Sequence, residues 1–281
     1  MNANWAQAVL AGLVAVGTLN TVAHAGSVTQ PGETVGLAVG APLPEGFYFV
    51  NTADWGCRNT DPDTCLGVSI PVLAWSTPWH LAGARLQFLA AAPVAEVGIT
   101  DTTYLYGFYN PFFAAQLAWD LGGGLGFSYL IGAYAGVDTD VGFDSSSLNQ
   151  RFAVSYTGDG WNLTANVIWG IQADGATKTV NPDFLNIDLT ATKKFGKWEI
   201  GPVAYYSTDL NTPVYGYRKQ SQFALGGLVG YDFGPVILQA YLTSDVYEEN
   251  YGGYDTRLWG RIIVPLGNPF AAPTPAGLVT K

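Results

Sequence analysis

The sequence is poor in charged side chains and in the residues that usually build catalytic or metal sites. Charged residues are 12% of its 281 residues, and it has two histidines, two cysteines and one methionine. Two cysteines alone cannot form a structural zinc site. The net charge of −10 argues against nucleic acid as a partner, because a phosphate-binding face needs lysine and arginine.

Long apolar runs are also absent. No apolar run reaches the roughly 18 residues typical of a transmembrane helix, so a helical membrane protein is not expected. Aromatic residues are nevertheless 14% of the chain, and there are 35 glycines. This composition is poor in charge for a soluble surface and rich in residues that face lipid or form tight turns.

Residues 1–25 have the features of a secretory signal peptide. An apolar core runs from Ala6 to Leu19, and Ala23 and Ala25 are the small residues that a signal peptidase reads. The mature chain would then begin at Gly26. A buried N-terminal helix is the alternative, since an apolar core of this length is compatible with both.

Cys57 and Cys65 flank a polar, turn-rich stretch, residues 58–64. In an exported protein, such a pair is expected to form a disulfide that closes one loop.

Glycine-containing turns recur in the second half of the chain, at 122–124, 158–160, 195–197 and 232–234, with centres about 37 residues apart. Each pair of turns brackets two strand-like runs joined by a longer polar loop. Short turns at one end and long loops at the other are typical of an up-and-down barrel in an outer membrane.

The clearest strand runs from Trp161 to Ile171, where apolar odd positions alternate with mostly polar even positions. One face therefore suits lipid and the other a polar lumen. The same period-two pattern predicts twelve strands, at 46–55, 67–77, 80–90, 111–121, 125–136, 149–157, 161–171, 184–194, 197–207, 221–231, 235–246 and 255–266.

We therefore predict an all-β fold, an up-and-down antiparallel transmembrane β-barrel of about twelve strands that spans 46–266 in the bacterial outer membrane. A short periplasmic N-terminal segment, 26–45, would precede it, and a C-terminal tail, 267–281, would follow. The even strand count puts both termini and the tight turns, including Pro78-Trp79, on the periplasmic side.

Aromatic residues near the predicted strand ends are expected to form the two interfacial girdles of such a barrel. In a soluble β-sandwich, the alternative fold, they would pack in the core. They are Trp55, Trp79, Trp119, Trp161, Trp169, Trp198 and Tyr231.

The sequence carries no nucleophile-elbow motif, no phosphate-binding loop and no paired metal ligands. An outer-membrane lipid hydrolase would need a histidine base, and His80 is the single histidine after residue 25. It is predicted beside a periplasmic turn, where an interfacial role is expected. We expect no enzymatic activity and no cofactor.

The candidate functional surface is the lumen. Charges of both signs are predicted to face inwards, so strong ion selectivity is not indicated. These side chains either line a solute path or interlock to fill a narrow barrel. The predicted lumen-lining positions are Arg85, Gln87, Gln116, Asp120, Arg151, Asn166, Asp188, Glu199, Tyr205, Gln239, Tyr241, Asp245, Arg257 and Arg261.

Five segments of the sequence resemble the family of meta-pathway phenol-degradation proteins, also called SphA-like transporters. They are Leu43–Tyr48, Ile70–Trp75, Leu81–Ala84, Ala92–Val94 and the closing Arg257–Leu266. The resemblance implies an outer-membrane barrel that takes up hydrophobic compounds, and it brings no catalytic residues with it.

The functional hypothesis is thus a porin-like channel or passive transporter for a small hydrophobic or aromatic solute, with outer-membrane lipid as its surroundings. Its alternatives are a sealed structural or adhesion barrel whose extracellular loops bind partners, and an outer-membrane lipid hydrolase. The sequence leaves the oligomeric state open.

Overall fold

The computed structural model describes residues 27–173 and 181–269, so the predicted signal peptide and most of the predicted C-terminal tail lie outside the described residues. Within these ranges, no helix is long and apolar enough to cross a membrane. The strands are β1 (Gly46–Arg58), β2 (Thr64–Leu81), β3 (Ala84–Ala91), β4 (Val94–Ile99), β5 (Thr103–Phe108), β6 (Phe112–Gly122), β7 (Leu125–Tyr134), β8 (Ser147–Tyr156), β9 (Trp161–Gln172), β10 (Phe184–Phe195), β11 (Trp198–Asp209), β12 (Ser221–Asp232), β13 (Ile237–Glu249) and β14 (Asp255–Gly267).

Twelve of these strands form a closed antiparallel barrel, which confirms the predicted fold. Each strand pairs with its neighbour in the barrel, and β14 pairs with β1 from Phe47–Gly267 to Arg58–Asp255. Closure leaves no barrel edge whose backbone groups would need water, which is what a lipid environment demands.

The remaining two strands, β4 and β5, form a hairpin in the stretch between the predicted strands 80–90 and 111–121, where no strand was predicted. β4 pairs with Thr64–Ser69 of β2, and β5 pairs only with β4. The hairpin therefore extends the β3–β6 side of the barrel at the long-loop end. The interruptions at Ala92-Pro93 and at 109–111 hid the alternation, because a proline has no N–H to donate to the ladder.

The predicted turn at Pro78-Trp79 is wrong. β2 continues to Leu81, and the turn is made by Ala82 and Gly83, both with positive φ (50° and 80°), as a two-residue hairpin requires. The β2–β3 register is irregular between Ser76 and His80. Here Thr77 Oγ1 donates to the Leu86 carbonyl at 2.7 Å, so a side chain replaces a ladder bond that Pro78 cannot form.

The two faces of the wall differ as the alternation predicts. Along β9, side chains at odd positions from Trp161 are mostly exposed, and those at even positions from Asn162 are buried. The exposed face is apolar, with tryptophans at both ends of the barrel: Trp79, Trp161 and Trp198 at the short-turn end, and Trp55 and Trp169 at the long-loop end. An apolar outer face with aromatic ends is typical of an outer-membrane barrel.

The chain before β1 does not lie outside the barrel. The segment 26–45 was predicted to lie in the periplasm, but residues 27–41, which we call the plug, lie inside the lumen. Thr29 and Val35 of the plug are fully buried, and its polar groups bond to strands β6 to β10, β13 and β14. A twelve-stranded barrel is wider than its own side chains fill, and the plug occupies that space.

Candidate functional site in the barrel lumen

The plug is a series of tight turns anchored through its backbone. Gly32, Gly36 and Gly40 are spaced four residues apart, and each donates its backbone N–H to a lumen side chain. The acceptors are Asp188 (2.9 Å), Thr190 (2.7 Å) and Ser155 (2.9 Å). Gly32 and Gly36 have φ of 90° and 85°, a region that disfavours other residues. The glycine spacing was visible in the sequence, but its role was not recognised.

Asp188 on β10 fixes the first of these turns. Its carboxylate accepts from the backbone N–H groups of Gly32 (2.9 Å) and Thr34 (3.0 Å) and from the Thr34 hydroxyl (2.6 Å). Asn166 on β9 donates to the same hydroxyl at 3.0 Å. A buried carboxylate is stable when hydrogen bonds replace its lost water, and the plug supplies three of them.

Arg261 on β14, four strands from β10 around the wall, also holds the plug, and the residue is 3% exposed. All of its donors are used. They bond to the carbonyls of Val35 (2.5 Å) and Glu33 (2.6 Å), and to Thr52 Oγ1 (2.8 Å), Gln239 Oε1 (2.9 Å) and the Tyr241 hydroxyl (3.1 Å). Two of these five acceptors belong to the plug, so Arg261 joins it to the wall.

Glu33 is the one ionisable side chain of the plug, and it pairs with Arg151 on β8 at 2.8 Å. Burial raises the pKa of the Glu33 carboxyl above its ordinary value of 4.5, and the positive charge of Arg151 opposes that shift. Arg151 also donates to Asn149 at 2.8 Å and lies over the Phe112 ring, 4.9 Å from its centre. The lumen thus supplies a counter-charge for the only charge that the plug brings in.

A separate ionic network lies at the long-loop end. Arg58 pairs with Asp245 at 3.2 Å and lies over the Tyr251 ring at 4.4 Å, while Arg257 pairs with Asp255 at 2.7 Å and with Asp54. Beside it, Cys57 and Cys65 sit opposite each other on β1 and β2 and are joined by a disulfide. These contacts tie the β1–β2 loop to the β13–β14 loop.

The predicted lumen residues fall into groups. Seven contact the plug through hydrogen bonds or an ion pair: Gln116, Arg151, Asn166, Asp188, Gln239, Tyr241 and Arg261. Four lie elsewhere in the lumen: Gln87 bonds to Ser76, Glu199 to Thr192 and Gln239, and Asp245 and Arg257 belong to the ionic network. Tyr205 packs against Trp259 and, through its ring, against Gly32 and Val35 of the plug.

The last two lie at the short-turn end. Arg85 is half-buried and donates to the Thr77 carbonyl at 2.9 Å. Asp120 does not line the lumen. It shares the inward parity of Gln116, but β6 ends there, so its carboxylate is exposed and accepts from the Gly122 N–H in the hairpin turn. His80 is also exposed near this end, one residue before the last residue of β2.

An apolar cavity of about 90 Å³, which we call the upper cavity, lies between the plug and the long-loop end. Its lining is mostly aliphatic and aromatic, with few polar groups. The plug contributes Ser27, Val28, Gln30 and Glu33; β2 contributes Thr64, Leu66, Val68 and Ile70; and the other side is formed by Pro93, Ala95, Val97, Tyr109, Tyr134, Val141 and Phe143. The cavity was not predicted, because Val141 and Phe143 lie between the predicted strands 125–136 and 149–157.

Solved barrels of bacterial outer membranes have the same fold. An outer-membrane channel from Pseudomonas putida F1 is similar with a TM-score of 0.63 and 15% identity, over 84% of this chain and 99% of that chain. The β domain of the Bordetella autotransporter BrkA is similar with a TM-score of 0.50 and 12% identity, over 79% and 100% of the two chains. At these identities the similarity concerns the fold alone. No curated protein matches the sequence.

A closed antiparallel barrel with an apolar outer face and aromatic ends is the architecture of a bacterial outer-membrane protein, and the outer membrane is its location. The family resemblance drawn from the short motifs is confirmed by a match over residues 29–262, which include nearly all of the plug and the barrel into its last strand. The chain therefore belongs to the family described as "Putative MetA-pathway of phenol degradation".

Proposed function

We propose that this protein is an outer-membrane channel for small apolar or aromatic solutes, and that the plug closes it in this structure. The fold is shared with a solved outer-membrane channel, and the family description connects its members with phenol degradation, which supports this proposal. The proposed solutes are therefore single-ring compounds that pass through the lumen without energy coupling.

The observation that carries this proposal is what fills the lumen. A barrel of twelve strands is too wide for its own side chains to fill, so its interior is either a passage or filled by a separate segment. Here a segment ahead of the first strand fills the centre, and the wall turns Asp188, Arg151 and Arg261 towards it. Movement of a fifteen-residue segment would leave a polar passage and would break no strand pairing.

The solute class is supported by the upper cavity. Ligand sites for small apolar molecules are lined mostly by apolar side chains, with a few polar groups that orient the ligand. The upper cavity has this character, with Val68, Ile70 and Phe143 beside the hydroxyl-bearing Tyr109 and Tyr134. It lies between the extracellular loops and the plug, where a solute entering from outside would stop first.

Deleting residues 28–40 while keeping the signal sequence and residues 41–45 tests the proposal. We expect single-channel conductance in planar bilayers to rise several-fold over the full-length protein. Phenol should also enter outer-membrane vesicles that retain lipopolysaccharide faster than it enters vesicles without the protein. Phospholipid vesicles are unsuitable, because phenol crosses them unaided.

The heat-modifiable gel shift of the barrel serves as the folding control for the deletion. A folded deletion variant with neither added conductance nor added phenol entry would overturn the channel proposal. That result would favour a sealed barrel whose extracellular loops bind partners.

A further inference from the structure

The segment between β7 and β8, residues 135–146, covers the upper cavity from outside, and we call it the flap. Two of its apolar side chains, Val141 and Phe143, point inwards and are 3% and 7% exposed. Val141 packs against Ala95 and Val97 of β4, and Phe143 packs in one cluster with Val28 of the plug. The flap thus closes a gap in the wall that no strand covers.

That gap arises because β5 has no second partner. Its free edge faces the flap, and the Thr139 hydroxyl donates to the Phe108 carbonyl at 2.7 Å. Free strand edges in folded proteins are commonly covered by a loop rather than left open. A cover made by side chains and a few hydrogen bonds separates more easily than a continuous strand ladder.

One buried side chain fastens the flap to the barrel. Asn110, fully buried between β5 and β6, accepts from the Phe143 N–H at 2.7 Å. Its amide nitrogen donates to the carbonyls of Phe143 (2.8 Å), Ala135 (2.9 Å) and Ser145 (3.2 Å). Asn110 is the buried fastening of the flap. The Thr139–Phe108 hydrogen bond, a bond from the Ala135 N–H to the Pro111 carbonyl and the insertion of Val141 and Phe143 add to it.

Phe143 itself fills the space that an aromatic ligand would need. Its ring meets Tyr109 edge to face, with 5.7 Å between ring centres and 75° between planes. The open part of the cavity is about 90 Å³, whereas a dry engineered cavity of roughly 150 Å³ holds benzene. A single ring therefore fits once the Phe143 ring withdraws.

We propose that the flap is a lid over a binding site for one single-ring apolar solute, and that the solute's ring replaces that of Phe143 against Tyr109. This inference rests on the proposed channel function and specifies where the solute binds first. Any polar group on the ring would face Glu33 and Gln30 of the plug, which line the same cavity.

A reversible lock on the flap tests the proposal. A Cβ built on Gly107 of β5 lies 4.0 Å from Thr139 Cβ, within the range of a disulfide. The G107C/T139C variant should therefore fix the flap when oxidised. The probe is phenol, a water-soluble single ring, measured by saturation-transfer NMR on detergent-solubilised protein against a protein-free micelle blank.

We expect the oxidised variant to bind phenol at least about tenfold more weakly than the wild type, because the competent open state is removed. Dithiothreitol should restore binding. The G107C and T139C single variants, and wild type treated with dithiothreitol, control for the substitutions and for reduction of the Cys57–Cys65 disulfide. Equal binding in the locked and reduced forms would overturn the lid.

The Phe143→Ala variant tests the same site, and here we expect phenol affinity to increase rather than decrease. Removing the ring should enlarge the cavity to single-ring size and strengthen phenol binding, provided the gel shift shows a folded barrel. Weaker or unchanged binding in folded F143A would overturn the exchange of rings. If the plug deletion conducts but the lock does not change phenol binding, only this inference fails. If the folded plug deletion gains neither conductance nor phenol entry, the channel proposal fails.

Discussion

Arg261 shows how a single lumen residue sets the strength of plug docking. Arg261→Met keeps much of the volume but leaves the Glu33 and Val35 carbonyls without their donor. Because a buried acceptor that loses its partner costs about 1–3 kcal/mol, we expect docking to weaken by about 3 kcal/mol. A glutamate-specific protease should then cut after Glu33 in folded protein.

The matched control for this prediction is Arg218→Met, which changes an exposed loop arginine. It should leave the bond after Glu33 protected, as in the wild type. Equal protection in R261M and R218M would show that Arg261 does not hold the plug.

Glu33 makes plug docking depend on pH. Its pKa in the docked state is raised above 4.5, chiefly by burial, so the docked plug binds a proton more tightly than the released plug. Docking is therefore strongest at low pH. It weakens as the pH rises from about 4.5 through the raised pKa of Glu33 in the docked state, and the docking equilibrium constant falls by at most about tenfold per pH unit. Among the neighbouring charges, Arg151 and Arg261 oppose the rise in the Glu33 pKa, and Asp188 adds to it.

We expect the open fraction of single channels to increase with pH in this window, and Glu33→Gln to flatten the dependence. Glu45→Gln, at an exposed position beyond the plug, is the matched control. An unchanged pH profile in E33Q would assign the titration to another group.

At the scale of the plug as an element, Gly32 is a position that no other residue fits. Its φ is +90°, and an added Cβ would lie 2.6 Å from Tyr205 Cδ1 and 3.1 Å from Trp259 Cζ2. Gly32→Ala should therefore cost about 1–3 kcal/mol of docking and release the plug while the barrel stays folded.

The control for Gly32→Ala is Gly227→Ala on the outer face of β12, where an added Cβ meets nothing within 4 Å. Protease cleavage after Glu33 should rise in G32A alone. If G32A stays as protected from cleavage after Glu33 as G227A and the wild type, the close packing at Gly32 does not contribute to plug docking.

The strands were predictable from the sequence because a two-faced wall imposes alternation on every crossing. β9, β10 and β13 show this plainly, with exposed apolar and buried polar positions. The β4–β5 hairpin and the extension of β2 past Pro78 were not predicted, since prolines interrupt the pattern there. Local alternation reveals a strand but not how far an irregular strand continues.

The lumen site was less predictable than the wall. Alternation identifies an inward side chain such as Asp188 or Arg261, but it carries no information about what that side chain meets. The partners of both lie more than 150 residues away along the chain. Asp120 shows a second limit: its place in the alternation predicts an inward side chain, but alternation does not show where a strand leaves the lumen.

At the scale of the whole molecule, the plug and the flap are two closures that touch each other. Val28 of the plug and Phe143 of the flap belong to one hydrophobic cluster with Ile70, Phe112 and Tyr134. The upper cavity lies between the two closures. A solute that enters beneath the flap therefore meets the plug next, so we expect the closures to act in series.

Combining the plug deletion with the G107C/T139C lock tests this order. With the plug gone, oxidising the lock should lower phenol entry into lipopolysaccharide-containing vesicles towards the level of protein-free vesicles, and reduction should restore it. The effects of the plug deletion and of the lock on phenol entry would then be non-additive, as expected for coupled elements. The plug deletion without the cysteines, treated with the same oxidant and reductant, is the control. Undiminished phenol entry through the locked, plug-free barrel would show that solute reaches the lumen by a route that bypasses the flap.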